Sequence, residues 1–487
     1  MSCAAYDLSP IDWLMPRGYF DQVFIFPVDN AIVFTILRRG LNRLVEYLPY
    51  LLSGVVDQNS PSGSVRLSTP FQTVDDLISL GDCSAMLSYS TLAAAGFPPS
   101  ALNSPTLRPS GTIQAPRGDP EAVFRAKVTL IEGGFLLCMI FHHSVTDIIG
   151  VQALLKLWAK CCQTDPVSIT QVDISWTDRS LLHKSAAAVA AAEKFSKLKT
   201  ISQLPETAPA LIPLQDQPQL IISPPPAIHY ETRIFNFSLR DMVSLKARIN
   251  EYLSTKPYAA VDSSGHENDE EHVVWISTGD VLAGILWSAT VWAESDGDRS
   301  DHVYATARIP VNIRSKHQPP LPPDYLGAAV LMTTATTLRA TLLSLSHENN
   351  RRFSADCDEA ALEALARVCA AVRKAIKRVT NSQIGQALAY TICQSDVGRL
   401  RLSPHHRGIS IVSWACEDVD NLDWGKEIGH CVAVRILNVK AKRYPIILPC
   451  SQDGERLEVV ASFDQPIMSK FQESKLIKRY CTWNQTR

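Results

Sequence analysis

Two adjacent histidines, His142 and His143, are followed by an acid four residues after the second, in the run His142-His143-Ser144-Val145-Thr146-Asp147. An imidazole can take up a proton near neutral pH, and a nearby carboxylate can fix local geometry. These residue types at this spacing therefore suit general-base catalysis. The run follows the apolar, strand-like segment Phe135–Phe141 and precedes a helix-like segment that begins near Val151. Successive side chains of a strand face opposite sides. If the strand runs on through His143, Met139, Phe141 and His143 share one face, and Ile140 and His142 the other. The two imidazoles then cannot both face one small site, which counts against a two-histidine metal centre. One is free to line a channel while the other packs. The plain alternative is a core histidine pair with Asp147 capping the next helix.

The elements that must position this run follow from hydrophobic periodicity. Leu8–Asp12 reads as a turn, Gln22–Pro27 as a strand, and residues 31–48 as a helix with Leu37, Leu41, Leu44 and Leu48 on one face. Phe71–Val74 reads as a further strand-like piece. Val123–Ile131 and Phe135–Phe141 form a hairpin about Glu132-Gly133-Gly134, and Gly150–Cys162 is an amphipathic helix. Ser185–Phe195 is alanine-rich and helix-favouring. Prolines interrupt residues 196–229 repeatedly, so this stretch reads as a crossover between two domains, 1–195 and 230–487. In the second half Tyr230–Phe237 reads as a strand, Ser238 and Ser277 as helix caps, and Asp356–Val379 as a long helix. Gly408–Trp414, Cys431–Leu437, Arg443–Leu448 and Leu457–Phe463 are strand-like, and the polar stretch Asp262–Glu271 reads as an exposed loop. Mixed helices and strands in both halves predict an α/β or α+β fold of two similar-sized domains.

Bulk properties narrow the class. The 487 residues are 46% hydrophobic, more than one ordinary core holds. A net charge of -2 argues against a chain-wide nucleic-acid surface. No apolar run reaches the roughly 20 residues of a membrane span, and residues 1–7 lack the pattern of a secretory signal. A soluble cytoplasmic protein is expected, without nucleic-acid or membrane partners. The 12 cysteines are scattered without a C-x-x-C pair, and no Cys/His spacing matches a structural zinc site, so neither a disulfide framework nor a metal is expected.

A second signal lies far downstream, in Ser413-Trp414 and Asp423-Trp424-Gly425. With the H-H-x-x-x-D run it resembles the BAHD-type acyltransferases, in particular their fungal, trichothecene 3-O-acetyltransferase-like branch. That family carries H-H-x-x-x-D in its first half and D-F-G near its C-terminus, with a Ser-Trp pair shortly before. Gly429 and Val434-Arg435 fit the continuation. Leu8-Ser9-Pro10-Ile11-Asp12 with Met15-Pro16-Arg17 is similar to the fungal N-terminal signature. Ser277-Thr278-Gly279-Asp280 resembles the S-T-N-D helix start. Asn312-Ile313-Arg314, Pro319-Pro320-Leu321-Pro322 and Tyr325-Leu326-Gly327 resemble the N-x-R, P-P-L-P and Y-x-G-N pieces. The likeness runs in order along nearly the whole chain.

The resemblance implies a two-domain chloramphenicol-acetyltransferase-like fold with a solvent channel between the domains. It implies acyl-CoA as co-substrate, no permanently bound cofactor, a small hydroxylated metabolite as acceptor, and a monomer. His143 matches the catalytic base. Asp147 matches an acid that points away from substrate and pairs with Arg314. Asp423, Trp424 and Gly425 match a structural motif, and Ser413 and Trp414 would line the channel. The implied function is acyl-CoA-dependent O-acylation, most simply acetylation, of a terpenoid, alkaloid or polyketide hydroxyl, without a covalent acyl-enzyme.

The sequence departs from the pattern at several places. Ile148 stands where glycine often follows the motif acid, Ala328 where Y-x-G-N has its asparagine, Gly279 in place of the S-T-N-D asparagine, and Trp424 in place of phenylalanine. Val412 stands where a hydroxyl residue often precedes Ser-Trp and could donate to an oxyanion; valine cannot. Lys426 and Arg435 are cations of a kind that meets CoA phosphates, with solvated surface charge as the plain reading. Two other functions fit the same motifs. One is a free-standing, condensation-like acyltransferase working on a carrier-bound chain. The other is a repurposed member that binds a metabolite without transfer.

Overall fold

A computed structural model of the chain describes residues 8–30, 32–57, 63–68, 72–109, 120–163, 173–193, 210–211, 230–256, 258–261, 267–295, 303–346, 355–401, 408–415, 419, 421–437, 443–449 and 454–482. The proline-rich crossover lies outside them except at Ala210–Leu211, which pairs with Leu400–Arg401. The fold is mixed α/β, as the alternation of patterns predicts.

The first sheet has five strands in the spatial order Ala433–Arg435, Tyr19–Phe26, Gly134–His142, Phe124–Ile131 and Ile78–Asp82. The expected hairpin is present, with Gly133 at φ 74° in the left-handed region that glycine tolerates. Every residue of Gly134–His142 is buried. Helices Ile32–Tyr47 and Ile148–Cys162 cover the face carrying Phe135, Leu137, Met139 and Phe141. Leu92, Phe97, Leu102 and Leu107 cover the face carrying Leu136 and Cys138. Coverage on both faces accounts for an unbroken apolar run where a half-exposed strand would alternate.

The second half builds on Thr278–Ala293, a helix buried on nearly every side. Its start is held by a reciprocal capping box between Ser277 and Asp280, which satisfies backbone donors that the first turn leaves unpaired. Around it pack Leu239–Thr255, Ala355–Arg378 and Gln465–Glu473. One sheet pairs Val330–Leu338, Tyr304–Asn312 and Ile409–Ser410. A second runs Val412–Ser413, Ile446–Ile447, Arg456–Asp464, Tyr230–Ser238 and Cys481–Thr482. The two meet where Ile411 N donates to the Arg308 carbonyl at 2.9 Å.

The halves are interleaved. Ala433–Arg435 adds an edge to the first sheet, with Val23 opposite Arg435, Phe24 opposite Val434 and Ile25 opposite Ala433. Trp424 is fully buried in the first core, edge-on to Phe24, Phe26 and Trp158. The residues from 419 to 434 that line this core follow the crossover in sequence yet pack with residues that precede it.

Three local expectations are corrected. Leu8–Asp12 is not a plain turn: Pro10–Leu14 is a short helix capped by Ser9, whose hydroxyl accepts from Asp12 N while Asp12 accepts from Ser9 N. Residues 72–74 are not a strand, and Phe71 lies outside the described residues: Thr73 and Asp76 cap the helix Val74–Leu77. Within the polar stretch expected as a loop, Glu267–Val273 pairs antiparallel with Tyr258–Val261; residues 262–266 lie outside the described residues. No helix among the described residues is long and apolar enough to cross a membrane.

Candidate functional site

The strand Gly134–His142 ends in the two histidines, and alternation separates them. His142 is buried on one side, where its Nε2 lies 2.8 Å from Glu121 Oε2 and its ring meets Tyr19 edge-on. His143 lies on the other side, half-buried, with its ring 4.8 Å from that of Phe20. The His143 amide donates to the Gly18 carbonyl at 2.9 Å, which ties the strand end to the start of the neighbouring strand. Nδ1 of His143 is buried and makes no well-formed hydrogen bond to another side chain. Burial holds this imidazole below the usual histidine value, although the backbone of His143 and Thr146 and the Asp147 carboxylate pull it the other way. His143 is therefore neutral, and able to accept a proton, at neutral pH.

The turn after His143 ends at Asp147, which is the N-cap of Ile148–Cys162. One carboxylate oxygen accepts from Gly150 N at 2.9 Å and from Arg314 Nη2 at 2.8 Å. The other accepts from Arg314 Nη1 at 2.9 Å and from Ala329 N at 2.8 Å. Both oxygens are thus committed, and none of these bonds goes to His143. Burial alone would raise this carboxyl, but Arg314 and the two amides outweigh it and hold it below its ordinary value. Arg314 also donates to the Tyr325 and Gly327 carbonyls, so this guanidinium joins the turn to the segment 325–329. Gly150 must lack a side chain here. A Cβ would sit 2.4 Å from Thr146 Oγ1 and 2.7 Å from the Leu326 carbonyl oxygen.

A second buried carboxylate runs parallel to the first and was not singled out by sequence reasoning. Asp12 is fully buried and accepts from Ser9 N, Ser9 Oγ and Ala328 N. Arg179 stands 3.4 Å from Asp12 and donates to the Val145 carbonyl within the histidine turn. The consecutive amides of Ala328 and Ala329 are therefore held by two acids from distant parts of the chain. Tyr325 lies between the two guanidinium groups, its ring centre 5.4 Å from Arg179 and 5.7 Å from Arg314. Leu8–Asp12 was noted for its motif likeness, but nothing local in it signals contact with residue 328.

The downstream residues divide. Trp414 is buried with Ile436, Ile446, Leu448 and Val460, and Phe20, Ile148, Val412 and Tyr444 pack against this cluster. Phe20 thus touches both the Trp414 cluster and His143. Ser413 is exposed, and its hydroxyl accepts from Ala415 N at 3.3 Å. Asp423, Trp424 and Gly425 are elsewhere. The Asp423 carbonyl accepts from Gln163 at the far end of Ile148–Cys162, a helix of 15 residues and so about 22 Å long. The Asp423 side chain is exposed and closes its own turn onto Gly425 N. Trp424 Nε1 is buried without a partner.

Arg435 is not a solvated charge. It is buried, ion-paired with Glu458, and donates to the Gly96 and Phe97 carbonyls. Lys426 is exposed. Among the described residues no cluster of His, Cys, Asp or Glu side chains could hold a metal ion. The described cysteines are free thiols.

Many known proteins are similar to this chain in sequence or fold. The family model described as Transferase family matches residues 106–476, and the one described as Trichothecene 3-O-acetyltransferase-like N-terminal domain matches residues 19–162. An O-acetyltransferase, ptmV, of Penicillium ochrochloron is 23% identical over 98% of this chain and 96% of its own. Fumigaclavine B O-acetyltransferase easN of Aspergillus fumigatus is 25% identical over 87% of this chain and 85% of its own. Among solved structures, F. graminearum TRI101 complexed with coenzyme A and deoxynivalenol superposes with a TM-score of 0.73 at 17% identity, covering 98% of this chain and 99% of that one. Vinorine synthase superposes with a TM-score of 0.59 at 13% identity, covering 96% and 92%.

Proposed function

Since the chain belongs to the Transferase family, whose model spans residues 106–476, it is an acyltransferase, and we propose that it transfers an acyl group, most simply acetyl, from acyl-CoA to a hydroxyl of a fungal secondary metabolite with His143 as the base. Similar curated proteins include fungal O-acetyltransferases, which supports acetyl transfer to oxygen, and the TRI101 structure with coenzyme A supports the donor. The observation that carries the base assignment is the state of His143: partly exposed, neutral at neutral pH, and free of the carboxylate four residues on.

In the proposed reaction the ring nitrogen away from the buried Nδ1, Nε2, takes the proton from the acceptor hydroxyl. The oxygen attacks the thioester carbonyl carbon, and a tetrahedral oxyanion forms. Its collapse breaks the carbon–sulfur bond, and Nε2 returns the proton to the CoA thiolate. General-base work of this kind contributes roughly 10²–10⁴ in rate, and positioning supplies much of the rest. Asp147 serves through Arg314 and the helix cap. Trp424 serves as a wedge in the first core, presented by the turn that Asp423 closes onto Gly425. Trp414 and Ser413 belong to the wall of a channel between the two halves, with Phe20 as the link to His143. Val412 supplies no hydroxyl, so a backbone amide or Ser413 has to stabilise the oxyanion.

The reading keeps residues 1–195 and 230–487 as two domains about the crossover 196–229, working as a cytoplasmic monomer without a permanently bound cofactor. Light scattering of the purified chain tests the monomer.

The direct test incubates the protein with acetyl-CoA and a panel of hydroxylated terpenoids, alkaloids and polyketides and follows free thiol. Acceptor-dependent release is expected, and His143→Ala should abolish it while the circular dichroism and melting curve stay in place. Full activity in that variant rules out the base assignment. Turnover only with an acyl carrier protein as donor moves the chain to the condensation-like reading.

A further inference from the structure

The hydrogen bonds of His142 have a sense of direction. Its Nδ1 lies 3.3 Å from the amide nitrogen of Ser144, an obligatory donor, so Nδ1 must accept and carry no proton. The ring proton is then on Nε2, which lies 2.8 Å from Glu121 Oε2 and donates to it. His142 is 1% exposed, and the Glu121 side chain 20%. Glu121 belongs to the two-residue strand Glu121–Ala122, which pairs with Gly54–Asp57 and not with Gly134–His142. The pair thus links the turn after the strand to a separate sheet. Two further bonds act on the same corner. Tyr19 donates to the Ala122 carbonyl at 2.7 Å with its ring against His142, and Val145 N returns to the His142 carbonyl at 3.0 Å. Burial and the Glu121 carboxylate both push the Tyr19 hydroxyl upward, Arg125 acting against them, so it stays a donor.

We propose that Glu121 and His142 are positioning residues for the acyl transfer: through the chain Glu121–His142–Ser144 amide they fix the turn that carries His143, with His142 locked as the tautomer protonated on Nε2. His143 sits between two restrained points, its own amide on the Gly18 carbonyl and the Ser144 amide on His142. Nδ1 of His143 makes no well-formed hydrogen bond to another side chain; the groups that act on its ring are the backbone of His143 itself and of Thr146, both within the turn. Its aim therefore depends on backbone held from behind, by the imidazole on the opposite face of the strand. A carboxylate that fixes an imidazole tautomer is a familiar device where that imidazole is the reacting one. Here it acts one residue away from the base.

The inference rests on the acyl-transfer reading, and two measurements separate its failure from that of the reading. The first is kinetic, at a temperature well below melting, with acetyl-CoA and a turned-over acceptor. Glu121→Gln and His142→Ala are expected to lower kcat by about tenfold or more, in the range that slight misplacement of a catalytic group produces, with KM for acetyl-CoA within about twofold. His142→Asn keeps an acceptor near the Nδ1 position and should recover much of the loss. The double variant Glu121→Gln/His142→Ala should be no worse than His142→Ala alone, because both break one chain. The second is amide hydrogen exchange across residues 143–147, which needs no turnover. Faster exchange at the Ser144 amide is expected in Glu121→Gln and His142→Ala, and near-native exchange in His142→Asn. Unchanged kcat in both single variants, or unchanged exchange, overturns the proposal. So does a double variant whose kcat loss is the product of the single losses. A wild-type protein with no acyltransferase activity but with the expected exchange pattern overturns the kinetic role alone, and with it the acyl-transfer reading.

Discussion

Asp147 and Arg314 stand 167 residues apart in sequence and face each other through two parallel hydrogen bonds of 2.9 and 2.8 Å, almost wholly shielded from water. The pair is more than a link between halves. The same carboxylate caps the helix Ile148–Cys162 and receives the Ala329 amide, so removing its charge affects three structures together.

Asp147→Asn leaves the shape of the side chain but leaves Arg314 as a buried cation without its anion. Breaking such a pair costs about 3–5 kcal/mol. A loss of this size is expected in urea unfolding, together with reduced transfer because the His143 turn is released. Full stability with no activity would instead assign Asp147 a direct chemical role.

The pH dependence follows from two depressed groups. Burial holds His143 below its ordinary value of 6.5, so the base form persists somewhat below neutrality. The profile of kcat/KM should rise with pH and reach its plateau with an inflection below 6.5. For stability the sign is the same. Unfolded His143 binds a proton near 6.5 that the folded chain resists, so stability is full above that pH and declines as pH falls through the folded value. Asp147 adds a second loss below its unfolded value of 3.8, as the carboxylate paired with Arg314 is protonated. Thermal melting across pH 3 to 8, on the scale of these ordinary values, should show both declines. The upper one should be missing in His143→Ala.

Trp424→Phe restores the residue common in the D-F-G motif and tests what the larger ring contributes. The substitution removes contacts with Phe24, Phe26 and Trp158 and leaves a void, a cost of about 1–3 kcal/mol for a core truncation of this kind. It also removes a buried indole N–H that has no acceptor, which returns part of that cost. A net loss of about 1 kcal/mol in urea unfolding with kcat nearly unchanged is expected. A large drop in kcat would bring the motif into the reaction.

The contrast between what could and could not be read beforehand is physical. The strand Gly134–His142 and the helix Ile148–Cys162 declare themselves by composition and period, and alternation alone separates the two histidines. Four helix starts have an acid three residues after a Ser or Thr: Ser9 with Asp12, Thr73 with Asp76, Ser238 with Asp241, and Ser277 with Asp280. The last two precede helices of 17 and 16 residues and read as caps; the others precede helices of five and four residues, too short to show a period. The partnership of Asp147 with Arg314 was reached through motif likeness. Asp12 with Ala328, Glu121 with His142, and Phe20 with His143 were not, because each depends on strand register or chain crossing that no local pattern encodes.

The strand Ala433–Arg435 has a consequence for how this chain comes into being. The first sheet lacks its outer strand, and the first core its Trp424, until synthesis has passed residue 435. Until then Tyr19–Phe26 is an open edge of backbone donors and acceptors, the kind of surface that invites pairing with another chain. Residues 1–195 on their own are a half-lined mould. Trp424 and the strand Ala433–Arg435, made long after it, close it, and the two halves of the molecule mature together.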